Sequence, residues 1–164
     1  GAPGEDSDSG AVFVFRSEIT PLCVGCVHTI KAKSAWTQGT VGQATIEAGD
    51  RFGASLAGVR SSAVMVGSPG EAPGSSPAGG MATHMDDGGL WAHLTEQSPW
   101  GAGIVASDEF GFGVSTAIDP WGFDVIAVSA HDYGQKASNG YGTGAVFLVE
   151  RHPNGNYGAT HTLP

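Results

Sequence analysis

A phrase order that recurs along the chain limits its fold more than any bulk property. Asp50-Arg51-Phe52-Gly53-Ala54-Ser55 returns 58 residues later as Asp108-Glu109-Phe110-Gly111-Phe112-Gly113. Val66-Gly67-Ser68-Pro69-Gly70-Glu71 echoes Gly1-Ala2-Pro3-Gly4-Glu5 and returns, eroded, as Val128-Ser129-Ala130-His131-Asp132. Ser9-Gly10-Ala11-Val12-Phe13-Val14-Phe15 returns as Thr143-Gly144-Ala145-Val146-Phe147-Leu148-Val149, with a weaker middle copy at Asp87-Gly88-Gly89-Leu90-Trp91-Ala92. The order is constant: Phe-Gly phrase, Gly-x-Pro phrase, Gly-apolar phrase. Such a period marks a repeat architecture, in which no unit buries its apolar face alone and neighbours cover one another.

Within each unit the apolar period is two, not 3.6. Ala11–Phe15, Ala63–Val66, Val125–Val128 and Ala145–Val149 are short β-rich runs bounded by Gly, Pro, Ser or Asp. Pro153-Asn154-Gly155-Asn156 is a hairpin-turn signal, with Tyr157 to Leu163 as the returning strand. No stretch combines an amphipathic helical period with caps. The class expected is all-β.

The three ordered phrases resemble the FG-GAP repeat of integrin α-subunit β-propellers, and more closely its secreted and cell-surface microbial form. The resemblance covers residues 1–15 and about 36–164. It implies a β-propeller-like arc of four-stranded antiparallel blades, about two and a half in number, forming part of a larger or assembled propeller. On that reading residues 1–49 are a partial blade interrupted by an insertion at 16–35, and residues 50–107 and 108–164 are complete blades. The first complete blade takes strands near 52–57, 63–67, 88–94 and 102–106, the second near 110–117, 124–129, 143–150 and 157–163. The partial blade takes 10–15 and about 41–47, with Ile46 matching Ile104 and Leu163. Residues 71–86, rich in Gly, Pro, Ser and Met, read as a long connection without a strand. Gly1 falls inside a phrase, so the chain reads as a fragment or processed product. Two blade faces are left to be covered, by further repeats or by self-association that completes a ring; the remaining alternative is a compact stand-alone β fold.

Charge narrows the partners. Seven Lys and Arg against sixteen Asp and Glu leave a net charge of −9, which argues against nucleic acid and against an anionic membrane face. No apolar run approaches the length of a spanning helix. None of Asn139, Asn154 and Asn156 is followed by x-Ser/Thr, so an extracellular or cell-surface location is implied by the resemblance alone.

The family's calcium cage would lie between the Phe-Gly and Gly-x-Pro strands. Calcium takes six to eight oxygens, yet Ala57–Ser62 holds no carboxylate and Asp119–Asp124 holds only its two terminal ones, with Trp121 and Phe123 between. No calcium cofactor is therefore expected. Asp6-Ser7-Asp8-Ser9-Gly10 lacks a third carboxylate and a closing Glu, and Asp86-Asp87-Gly88-Gly89 reads as a turn. Cys23 and Cys26 form a lone Cys-x-x-Cys pair, which lacks the second ligand pair of a zinc site and the adjoining His of a haem site. His84 and Asp87 could meet a third group, which nothing in the sequence specifies. No nucleophile elbow, His-Glu-x-x-His pair or phosphate loop occurs.

Phe13, Phe52, Phe110, Phe147 and Trp91 recur at matching phrase positions and are expected in the core between units. Trp36, Trp100, Trp121, Tyr133 and Tyr141 fall outside the phrases. Trp121, Asp132, Tyr133 and Tyr141 are the candidate ligand-binding residues, because loop aromatics beside small polar groups suit a glycan or peptide surface. No catalytic residue is assigned. The expected function is a non-enzymatic extracellular interaction or adhesion module that binds a protein or carbohydrate partner. The alternatives are an accessory segment of a secreted hydrolase and a structural remnant without a ligand.

Overall fold

A computed structural model describes residues 1–5, 7–19, 28–41, 46–60, 63–72, 79–86, 89–95, 99–100, 108–134 and 142–164. The fold is all-β, and its strands pair antiparallel in three sheets. β1 (Val12–Ile19) and β2 (His28–Trp36) form a ribbon, followed by a 3-10 turn at Gly39–Val41. β3 (Ser55–Val59), β4 (Ala63–Ser68), β5 (Met81–Asp86) and β6 (Gly89–Leu94) form a first four-stranded meander. β7 (Phe110–Ile118), β8 (Asp124–Ala130), β9 (Ala145–Arg151) and β10 (Tyr157–Leu163) form a second.

Local chemistry explains the second meander. β8 and β9 alternate between buried and less buried residues along their length, as strands with one well-covered face do. The turn between β9 and β10 closes through His152 N–H to Asn156 O at 2.8 Å, while Asn154 Oδ1 accepts from Asn156 N–H at 3.1 Å. Gly155 adopts φ 90° there, which a glycine does without steric penalty. Asp119 and Phe123 close the β7–β8 turn by a 2.9 Å backbone bond.

The sequence repeat is repeated in the backbone. Gly10, Gly80 and Gly144 donate to Glu5 O, Glu71 O and Tyr133 O at 3.0, 2.9 and 3.0 Å. Gly10 bridges Phe52 in parallel, and Gly80 bridges Phe110 in the same way. Arg51 and Glu109, just before those phenylalanines, share a left-handed backbone at φ 58° and 56°. They also face each other at 3.6 Å as an ion pair between neighbouring units. Thr116 Oγ1 donates to the carbonyl of Gly58, its own counterpart in the preceding unit.

Each Phe-Gly phrase thereby locks one sheet onto the one before it. Phe52 packs with Val12, Val66 and Met85 between the ribbon and the first meander. Phe110 packs among Met65, Ala82, Leu94 and Phe147 between the two meanders. Trp100, Phe110 and Phe147 meet edge-on with ring centroids 5.2–5.6 Å apart. The first meander is sandwiched, so β5 is buried from Met81 through Met85.

That sandwiching corrects the expected strand plan for residues 50–107. Residues 81–86 are a strand rather than the tail of a connection, and 89–94 is the fourth strand of its sheet rather than the third. The middle counterpart of Gly10 and Gly144 is accordingly Gly80. Residues 16–19 and 28–35, the described part of the expected insertion, lie in the ribbon, where β1 and β2 pair from Val12 to Trp36. The expected strand at 41–47 begins in the 3-10 turn, and Ile46 and Glu47 are not in a strand. The expected strand at 102–106, Ile104 included, lies outside the described residues. All four strands expected for 108–164 are present.

Truncating the joint should be costly. Phe110→Ala is expected to lose about 3–5 kcal/mol of stability, and Phe112→Ala, whose ring is exposed, well under half of that. Urea denaturation of both variants measures it, and equal losses would contradict the joint. A Cβ on Gly67 would stand 2.0 Å from Gly111 O, whereas one on Gly58 meets nothing within 4 Å. Gly67→Ala should therefore destabilise strongly and Gly58→Ala hardly at all.

Candidate functional site

Three groups of polar side chains stand out, and two of them are buried. Beside the 3-10 turn, Gln38 Nε2 donates to Glu71 Oε2, with Asp50 next to them; all three residues are almost wholly buried. Asp50 Oδ2 also accepts from Glu47 N–H at 2.7 Å. Burial, with the Asp50 and Glu47 carboxylates nearby, pushes the Glu71 carboxyl up to about 7. Burial likewise raises Asp50.

The second group joins the two meanders. Tyr157 Oη lies 3.3 Å from Nδ1 of the fully buried His84. Asp124 sits between Arg151 and Arg60, each at 3.3 Å. Burial, then the Arg151 cation, pulls His84 down to about 4, so this imidazole is neutral near pH 7. Burial holds the Tyr157 hydroxyl protonated to about 12. His84 thus has Tyr157 as a partner; Asp87 lies outside the described residues.

The third group is at the surface, where β7 starts and β8 ends. Phe112 stacks on His131 with centroids 5.0 Å apart and 26° between planes. His131 Nδ1 lies 3.4 Å from Glu109 Oε2 and 3.2 Å from Asp132 Oδ1, and Glu109 also meets Arg51. A cavity of about 380 Å³ adjoins them, reaching Ser129, Val146 and Leu163.

The four expected binding residues do not form one site. Asp132 belongs to this surface group. Tyr133 packs against the core, its ring edge-on to Phe147 at 5.0 Å. Trp121 is 79% exposed in the β7–β8 turn. That turn lies at the opposite end of β8, about 20 Å away at 3.3 Å per strand residue. Tyr141, Cys23 and Cys26 lie outside the described residues. In the loop where the family's calcium cage would lie, Asp119 Oδ1 accepts from Phe123 N–H at 2.7 Å, and Asp124 holds the two arginines. Among the described residues no three His, Cys, Asp or Glu side chains are grouped to hold a metal ion.

Sequence reasoning missed the Gln38–Glu71 pair and the Arg60–Asp124–Arg151 group. Gln38 is 33 residues from its partner and outside every phrase, so no local signal marks it. Glu71 and Asp50 were legible as phrase residues, though not as buried ones. No protein-family model and no curated protein matches the chain.

Glu71 and His84 oppose each other in pH. Glu71, raised from 4.5 to about 7, adds stability that is full below pH 4.5 and lost as pH climbs to about 7. His84, lowered from 6.5 to about 4, adds stability that is full above pH 6.5 and lost as pH falls towards 4. Between pH 4.5 and 6.5 the two slopes offset each other. Glu71→Gln should uncover the His84 slope, so that Tm rises with pH across that window while the parent stays flatter. Parallel Tm curves for the two proteins would refute the Glu71 shift.

Proposed function

We propose that this chain is an arc of blade-like repeats of the FG-GAP kind and works as a non-enzymatic interaction module. Its ribbon and two meanders are read as successive blades, each locked to the one before by a Phe-Gly phrase. One observation carries the reading. Positions that are buried where two units meet are apolar and open on the outer faces. Ala82 and Leu94 are 0% and 1% exposed at the joint between meanders, whereas their counterparts Val146 and Leu163 are 37% and 50% exposed. On the ribbon Phe13 and Phe15 are exposed, whereas Phe147, the counterpart of Phe13, is fully buried. Apolar faces of this kind mark surfaces built to be covered.

The partner is a protein or a carbohydrate, and a second copy of the chain is the first protein to test. The exposed Trp121 supplies a separate loop contact, braced by Arg60 donating to Gly122 O. An acidic net charge of −9 speaks against nucleic acid. Among the described residues no helix is long and apolar enough to cross a membrane. The resemblance points to the cell exterior or surface.

Light scattering of the purified chain tests the covering of these faces. A concentration-dependent multimer is expected, reverting to monomer in Phe13→Glu and in Val146→Glu with secondary structure retained. A monomer at every concentration would end the self-association reading.

A further inference from the structure

The trailing face of the second meander repeats, without an occupant among the described residues, the seat that Phe-Gly phrases fill elsewhere. In the first filled seat Arg51 N–H and Phe52 N–H donate to Asp8 O and Ser9 O at 2.8 and 2.9 Å. In the second, Phe110 N–H donates to Gly79 O at 2.8 Å, and Ser55 Oγ donates to Gly111 O at 2.9 Å. The corresponding acceptor on the trailing face is Thr143 O, next to Gly144, whose φ of 75° matches the 89° and 94° of Gly10 and Gly80. The apolar floor corresponds as well, since Met65, Ala82 and Leu94 are replaced by Ala127, Val146 and Leu163. The 380 Å³ cavity and a neighbouring one of about 270 Å³ share Ser129 and Val146 across that floor.

We propose that this face is an acceptor site for an Asp-Arg-Phe-Gly segment turned as it is in the filled joints, supplied by a further repeat unit of the same type. The inference rests on the reading of the chain as an interaction module, and it specifies what one outer face takes. Its aromatic ring would lie over Ala127, Val146 and Leu163, with its backbone hydrogen-bonded at Thr143. Arg is specified by charge. At the filled joint the residues before the two phenylalanines, Arg51 and Glu109, form an ion pair. The next residue in that series would face Glu109, which already meets Arg51 and His131, with Asp132 on the far side of His131. A glutamate there would meet like charge.

Ser129 tunes the seat. Its counterparts at the filled joints are Gly1 and Gly67, where a Cβ would stand 2.0 Å from Gly53 O and Gly111 O respectively. Unit two has exchanged the pair: Gly113 and Ser129 stand where unit one has Ser55 and Gly67. The Ser129 hydroxyl, on the facing strand, lies 3.4 Å from Gly113 O, to which it donates, and an incoming carbonyl would have to take it from that acceptor. The Ser129 Cβ holds the incoming strand further out than at the filled joints.

The probe is the synthetic peptide Ac-Asp-Arg-Phe-Gly-Ala-Ser-amide, titrated into the intact chain with amide shifts read by NMR. Saturable shifts at Thr143–Val146 and Leu163 are expected. Replacing the peptide's Phe by Ala should abolish them, and replacing its Arg by Glu should weaken binding roughly tenfold. Ser129→Gly should tighten binding by a similar factor, and Leu163→Asp, on an exposed strand, should remove it. No shifts in either the parent or Ser129→Gly at millimolar peptide, or shifts indifferent to the Phe, would overturn the site. A monomeric chain that binds the peptide keeps the site and ends self-association. A multimer whose Phe13→Glu monomeric form and parent both ignore the peptide ends the site and keeps the module.

Discussion

Insertion of a phenylalanine from one sheet into the face of the preceding one is the interaction on which the rest of this structure depends. Phe52 and Phe110 are fully buried, and each stands between two left-handed residues: Arg51 and Gly53, Glu109 and Gly111. For Arg51 and Glu109 that backbone costs roughly 1–2 kcal/mol apiece. Burying a phenylalanine yields about 1.5–3 kcal/mol, before the ring contacts with Trp100 and Phe147 are added. The burial outweighs the backbone strain, and the turn that presents the ring is held open by the ring's own seat. Every close approach around it follows, including glycines at positions 67 and 111 where a Cβ would strike backbone.

A stack of this kind has a middle and two outsides, and the chemistry divides along that line. The first meander lies in the middle and collects groups that would otherwise prefer water. His84 is kept neutral there, and the carboxylates of Glu71 and Asp50 share the amide of Gln38. Buried polar groups persist only with partners, and here most partners come from another sheet or from a loop. These clusters therefore hold units in register as well as in contact. At the rim, Arg51, Glu109, His131 and Asp132 form a partly exposed chain.

Exchange of serine and glycine between facing strands shows how a repeat diverges without losing its geometry. Ser55 faces Gly67 in one unit, and Gly113 faces Ser129 in the next. Each pair supplies one hydroxyl and one open space. Only the second pair places its Cβ where a following unit's carbonyl would lie, so two nearly identical sheets present different faces to what comes after them.

The sequence by itself determined the all-β class, the repeat and its order, and every strand of the last unit. Those features are local: alternation in β8 and β9, the Asn-Gly turn, and phrases whose glycines answer to backbone dihedrals. It also marked Phe13, Phe52, Phe110 and Phe147 as core; the last three are buried, whereas Phe13, at the same phrase position as Phe147, is exposed. Tertiary structure alone decided the rest. β5 was hidden because a strand covered on both faces has no alternation to read, and Met81-Ala82-Thr83-His84-Met85 carries polar residues that only neighbouring sheets make buriable. Tyr133 and Trp121 look alike as loop aromatics, yet one lies against Phe147 and the other in solvent. Identical phrases end buried or exposed according to whether another unit covers them, and coverage is a property of the stack, not of the strand.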